Sequence, residues 1–197
     1  DATGAPERVA GTKLVTIDSP DGKLRPAALD DQASTLGVVH HPQPRIVSIT
    51  LSTEVGTTYS PDEIGALCET AHRHGMRVHV DGARLANAVA HVGAGRDGLR
   101  RLLVDSGDDV VSFGGTKNGA LGAEAVVFLS PGLDEHAGYA RKSITQLASK
   151  MRFLAAQFNA LLADDLWLDL ATHSNRMSSS LYDRVGDLPG LALDQPP

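Results

Sequence analysis

Val110-Val111-Ser112-Phe113-Gly114-Gly115-Thr116-Lys117-Asn118-Gly119 runs from four residues of strand composition into a turn of glycines and small polar residues. Branched and aromatic side chains favour a pleated, buried segment, and the paired glycines end it. Upstream, Val78-His79-Val80-Asp81-Gly82-Ala83-Arg84 has the same form: a short strand closed by an acidic residue and a glycine. Around these two stretches, strand-like runs alternate with amphipathic helical ones. That alternation implies βαβ units and a largely parallel sheet covered by helices on both faces. The expected fold class is therefore α/β, a three-layer arrangement around a mainly parallel sheet. In such sheets ligands gather at the carboxyl ends of the strands. Asp81 and Lys117 both fall there.

The remaining elements follow from local signals. Arg45–Leu51 is the clearest strand by branched content, and Arg77–Val80, Val110–Phe113 and Ala125–Leu129 are further strands. Thr12–Ile17 is also β-rich, and Ser19-Pro20-Asp21-Gly22 reads as a turn. Pro26–Leu36 has helical composition, with Pro26 suited to a helix start. Ser60-Pro61-Asp62-Glu63 carries an N-cap serine, a proline at N1 and a capping-box glutamate. Ile64, Leu67, Cys68 and Ala71 then line one face of a helix that stops at Gly75. Asp97–Val104 is a short helix, Gln146–Leu162 a longer one, and the chain looks helical again to Asp183, with an apolar-poor face around Ser174–Ser180. Leu188-Pro189-Gly190 and Asp194-Gln195-Pro196-Pro197 read as a ragged end leading into further sequence.

A lysine at the mouth of a strand, between glycines and small hydroxyls, is poorly placed to pack. It is well placed to form an imine with an aldehyde. A strand-end aspartate upstream completes what pyridoxal 5'-phosphate needs: an amine to hold the cofactor, and a carboxylate to keep its pyridine nitrogen protonated. Each residue also has a plainer use. Lys117 could be an exposed loop lysine, Asp81 a turn residue before Gly82, and Arg84 a solvated residue at a helix start. Ser112 and Thr116 could bond a phosphate or Asp81, although a strand-end hydroxyl more often caps backbone. His72 and His74 resemble a metal pair, but residues i and i+2 at a helix end point apart, so both read as surface histidines. No metal site is expected. His79 faces either the site or the core, and His40-His41 before Pro42 is a loop.

The chain has 197 residues, enough for one sizeable core. Its net charge of -6 argues against nucleic acid or an anionic membrane as partner, since either needs a concentrated basic face. Cys68 is the only cysteine, so neither a disulfide framework nor a cysteine-rich metal site is expected, and a reducing cytoplasm is the natural compartment. No apolar stretch approaches the roughly 20 residues of a membrane span. The start, Asp1-Ala2-Thr3-Gly4, is neither a signal peptide nor an initiator methionine, which suggests a piece of something longer.

Taken in order, several stretches resemble the pyridoxal-phosphate-dependent threonine aldolases of the β-eliminating lyase group. They are Gly4-Ala5-Pro6-Glu7-Arg8-Val9-Ala10-Gly11-Thr12-Lys13-Leu14, Ser48-Ile49-Thr50 through Glu54-Val55-Gly56-Thr57, Asp81-Gly82-Ala83-Arg84-Leu85, Phe113–Gly119, and Gln146-Leu147-Ala148-Ser149-Lys150-Met151-Arg152-Phe153-Leu154. The resemblance implies the aspartate-aminotransferase-type fold (fold type I), here incomplete at both ends. Residues 1–165 would form part of the large cofactor domain, and 166–197 the start of the connection to a small C-terminal domain. It implies that Lys117 holds the cofactor, that Asp81 pairs with its ring nitrogen, and that Arg84 takes a substrate carboxylate or the cofactor's phenolic oxygen. Thr116 and Ser112 would join the cofactor site. Arg141, Lys142 and Arg152 would flank phosphate or substrate across a subunit interface, or else be solvated helix charges. The implied reaction is retro-aldol cleavage of threonine and related β-hydroxy amino acids to glycine and an aldehyde, in a homodimer or homotetramer. Another chemistry on the same cofactor, aminotransfer or β-elimination, is the enzymatic rival, and a silent fragment the non-enzymatic one. The resemblance also implies a phosphate-gripping loop and a ring-stacking histidine upstream of Gly4, and a carboxylate-binding arginine beyond Pro197.

Overall fold

The computed structural model describes residues 4–192, so the Asp1-Ala2-Thr3 start and the Asp194–Pro197 end lie outside it. Four strands form one sheet in the order β1 (Ile46–Thr50), β2 (Arg77–Gly82), β3 (Val110–Gly114), β4 (Glu124–Phe128). β1, β2 and β3 are mutually parallel, and β4 runs antiparallel to β3. The fold is α/β and mostly parallel, as the alternation implied. The exception has a local cause. Only a short turn separates β3 from β4, far less chain than a parallel crossover requires.

The crossovers are helical. Between β1 and β2 lies α3 (Pro61–Arg73), whose start is the expected capping box: Ser60 Oγ accepts from Glu63 N, and Glu63 returns a carboxylate to Ser60 N. Ile64, Leu67, Cys68 and Ala71 are all buried, which confirms the apolar face read from their spacing. Gly75 adopts φ 70, a left-handed conformation that suits glycine after the helix end. Between β2 and β3 lie α4 (Leu85–Val92) and α5 (Gly95–Leu103). Around these, α1 (Ala5–Ala10) and α2 (Pro26–Ala33) precede the sheet, while α6 (Ala137–Ser143), α7 (Arg152–Leu162) and α8 (Leu166–Val185) follow it. α2 packs on α3, and α8 folds back along α4.

The two faces of the sheet differ. Val47, Ile49, Val78, Val80 and Val111 point into one hydrophobic core shared with α3, α4, α5 and α8. On the opposite face lie Ser48, Thr50, His79, Asp81 and Ser112, half-buried or exposed. Among the described residues the helical cover expected on both faces is therefore found on one.

Two expectations are corrected. Thr12–Ile17 is largely exposed and joins no ladder among the described residues; branched composition makes a strand only where a partner stands beside it. Gln146–Leu162 is helical only from Arg152. Thr145 and Lys150 take φ 63 and φ 57, left-handed values that interrupt a right-handed helix, and the short α6 ends just before them.

Candidate functional site

The site is built where β1, β2 and β3 end. Backbone bonds draw the three ends together: Leu51 N donates to Asp81 O at 2.9 Å, and Arg84 N donates to Leu51 O at 3.2 Å. Asp81 is half-buried, and its Oδ1 accepts the Ala83 N–H at 3.0 Å, which folds the chain tightly from β2 towards α4. The glycines here allow contacts that no other residue would. A Cβ on Gly114 would lie 2.7 Å from Ala83 Cα, and one on Gly82 would lie 2.7 Å from Ser112 O. The ends of β2 and β3 therefore touch backbone to backbone.

Beyond β3, Thr116–Asn118 forms a single 3₁₀ turn that carries Lys117 into solvent. Three bonds fix it. Gly115 N donates to Ala123 O, Thr116 Oγ1 donates to Glu124 Oε1 at 2.5 Å, and Asn118 Nδ2 donates to Trp167 O at 2.9 Å. The turn beneath the lysine is tied to β4 and α8.

Arg84 caps α4 and directs its guanidinium at Glu54, with Nη1 3.0 Å from Oε1 and Nη2 3.4 Å from Oε2. Glu54 stands on the loop after β1, which is braced by Thr53 N to Thr57 O and by the paired hydroxyls of Thr53 and Thr57. The hydrogen bonds and charge of Arg84, with Lys117 contributing at longer range, hold the Glu54 carboxyl below the usual range. Glu54 thus joins Arg84 and Lys117 in one charged group, and sequence reasoning had given it no role. An acidic side chain just past the carboxyl end of a strand was the available signal.

His79 lies two residues before Asp81 and on the same face. Its Nδ1 is 2.8 Å from Ser48 Oγ and its Nε2 is 2.9 Å from Ser112 Oγ. Burial pushes its pKa down, against the pull of Asp81. The question left open by sequence is answered: His79 faces the site side of the sheet. Ser112 bonds His79 and Thr116 bonds Glu124.

Lys142 in α6 and Arg152 at the start of α7 are both exposed. Arg152 stacks its guanidinium over Phe153, 4.6 Å from the ring centre. Among the described residues neither bonds to Asp81, Arg84 or Lys117. Arg141 donates to Gln146 O. His72 and His74 turn to different partners, Asp109 and Asp30, as expected of residues that point apart.

The chain as a whole has known counterparts. The family described as Beta-eliminating lyase matches residues 1–196. The chain belongs to that family. Two curated members, the low specificity L-threonine aldolases of Pseudomonas aeruginosa and of a Pseudomonas species, are each 44% identical to it over 98% of this chain. This chain spans 55% of the length of each. The solved threonine aldolase of Leishmania major superposes with a TM-score of 0.84 at 32% identity, over 98% of this chain and 56% of that one. The β-eliminating lyase fold, of fold type I, is thus shared along the chain. Among the described residues, no group of three or more His, Cys, Asp or Glu side chains could hold a metal ion.

Proposed function

We propose that this chain carries the lysine–aspartate half of a pyridoxal-phosphate-dependent threonine aldolase, which cleaves threonine and related β-hydroxy amino acids to glycine and an aldehyde. The observation that carries this reading is the placement of Lys117 and Asp81 at the ends of adjacent parallel strands, in a chain 44% identical to L-threonine aldolases. The donor set suits the cofactor: a solvent-facing amine, a half-buried carboxylate one strand away, and glycines that let the two strand ends meet backbone to backbone beneath them.

When bound, pyridoxal phosphate would supply an electron acceptor for the pair released as the Cα–Cβ bond of threonine breaks. Lys117 Nζ would hold it covalently and yield to the substrate amine. Asp81 would lend the negative charge that favours a protonated ring nitrogen. Arg84 would receive the substrate carboxylate in its fork, in place of Glu54. Thr116 supports this set by fixing the lysine turn, and Ser112 by fixing His79. Aminotransfer and β-elimination draw on the same lysine and aspartate, but both curated relatives are aldolases.

We further infer a homodimer or homotetramer, with Lys142 and Arg152 on an exposed surface open to a second subunit. Cys68, a buried free thiol, suits a reducing compartment such as the cytoplasm. Among the described residues no helix is long and apolar enough to cross a membrane.

The test is borohydride reduction in the presence of pyridoxal phosphate, followed by peptide mapping, beside an assay of acetaldehyde released from threonine. The added mass is expected on the peptide containing Lys117. Finding it on Lys142 or Lys150 would overturn the assignment.

A further inference from the structure

His79 is the half-buried histidine on the site side of the sheet, and its surroundings differ from those of its neighbours in sequence. His72 and His74 each meet a carboxylate, Asp109 and Asp30 respectively, at 2.8 and 2.6 Å. His79 meets two hydroxyls, one from each flanking strand. A carboxylate favours the doubly protonated ring. A hydroxyl donates or accepts with equal ease, so a pair of them satisfies either neutral tautomer without drawing a second proton. The clamp spans three strands and leans towards Asp81: Ser48 of β1 is the register partner of His79, and Ser112 of β3 is the register partner of Asp81.

Asp81 lies two residues along the same strand and on the same face, roughly 6.6 Å away along the strand. An imidazolium at that range would offset the aspartate's charge, the property that the proposed function requires of it. We propose that His79 is a positioning residue for Asp81: clamped as a neutral imidazole by Ser48 and Ser112, it leaves the aspartate's negative charge uncompensated from beneath. This rests on the reading of Asp81 as the partner of a protonated ring nitrogen.

The other groups around His79 agree. On β2, Arg77 shares the face but gives its guanidinium to Asp109 at 2.8 Å. β1 and β3 present Ile46, Ser48, Thr50, Val110 and Ser112 on this face, none of them charged, and Glu124 of β4 accepts the Thr116 hydroxyl. Among the described residues Asp81 is therefore the ionised group that acts on His79, and it does so through space, while burial acts the other way.

The experiment has two arms. In the first, the protein with pyridoxal phosphate bound is labelled in its histidine imidazoles and followed by nuclear magnetic resonance from pH 8 downward. His79, recognised by the signal lost in His79→Asn, is expected to stay neutral through the range near ~6.5 where an unperturbed histidine gains its second proton. Protonation of His79 in that ordinary range would overturn the proposal. In the second arm Ser48→Asp sets a carboxylate beside Nδ1, and Ser48→Asn is its neutral counterpart. The Asp variant is expected to bind pyridoxal phosphate about tenfold more weakly at pH 6, with the loss disappearing in alkali as His79 gives up its proton. The Asn variant is expected to bind like the parent at both. Equal loss in both variants, independent of pH, would mean that the clamp is only structural, and would also overturn it. Should Ser48→Asp not fold, the first arm decides alone. Asp81→Asn separates this inference from the one beneath it: undiminished cofactor affinity there would remove the proposed role of Asp81 itself, whatever the state of His79.

Discussion

At the scale of single residues, two aspartates show how burial and partners set charge. Asp81 accepts one backbone donor through Oδ1, and its Oδ2 has no protein donor among the described residues, so it can still meet a cationic ligand. Asp81→Asn keeps the shape and removes the charge. A fall in threonine cleavage of about 10²–10³-fold is expected, typical of the loss of one preorganised electrostatic group, with the far-ultraviolet circular dichroism unchanged. Turnover near that of the parent would refute the role. At the other end of the sheet, Asp109 is fully buried, and burial alone would raise its pKa. Bonds from His72, Val78 N, Ser130 and Arg77 outweigh that and hold it at about 2. Asp108 next to it lacks such help: Oδ1 meets the Cys68 thiol at 3.4 Å, and Oδ2 is buried without a partner. Burial, reinforced by the charge of Asp109, pushes its carboxyl up to about 7. An acid whose pKa is higher in the folded than in the unfolded state costs stability as pH climbs from about 4 towards 7, and the full cost persists above that. Asp108→Asn is therefore expected to be more stable than the parent at pH 8, on the order of 1–3 kcal/mol, and no more stable near pH 4. Denaturant unfolding at the two values checks this; a difference that does not vary with pH would contradict it.

At the scale of elements, the sheet is held in register at its functional end by residues without side chains. Gly114→Ala would drive a Cβ to 2.7 Å from Ala83 Cα, a backbone atom that cannot swing aside. The strand ends must part, and the Lys117 turn moves with β3. We expect Gly114→Ala to lose pyridoxal phosphate binding, read from the absorbance of the bound cofactor, by more than it loses in thermal stability. Ser60→Ala, by contrast, opens the capping box of α3 and touches none of the bonds of Asp81, Arg84 or Lys117. It should cost about 1 kcal/mol in unfolding free energy and leave cofactor absorbance alone. The elements legible in sequence were those whose signals are local. The cap of α3 was readable from Ser60 to Glu63, and β1, β2 and β3 from branched runs closed by turn residues. Lys117, Asp81 and Arg84 were readable because each follows a strand directly. Glu54 was not, because its place depends on how the loop after β1 folds over the neighbouring strand. Thr12–Ile17 misled because strand composition does not reveal whether a partner strand stands alongside. The break at Thr145 and Lys150 was hidden because residues with left-handed backbone need not be glycines.

For the molecule as a whole, the apolar surface is unevenly placed. Leu121 is 85% exposed and Tyr139 80%, and Val126 and Phe153 are also largely uncovered. Leu121 precedes β4 and Val126 lies within it, and among the described residues β4 has a strand partner on one side only. A bare strand edge beside large apolar side chains favours pairing with another chain. The 197-residue chain is expected to self-associate in sedimentation equilibrium, and Leu121→Lys with Val126→Lys to shift it towards monomer. A monomer at every concentration examined would refute this. The turn that bears Lys117 is tied to Trp167 O by Asn118, a contact across 49 residues of sequence. Synthesis from the N-terminus therefore sets an order: the lysine leaves the ribosome well before the helix that steadies it. A nascent chain halted between Glu124 and Leu166 would hold the Lys117 turn through β4 alone, without the Asn118 contact to α8. The turn thus gains its supports in two stages, from β4 first and from α8 later.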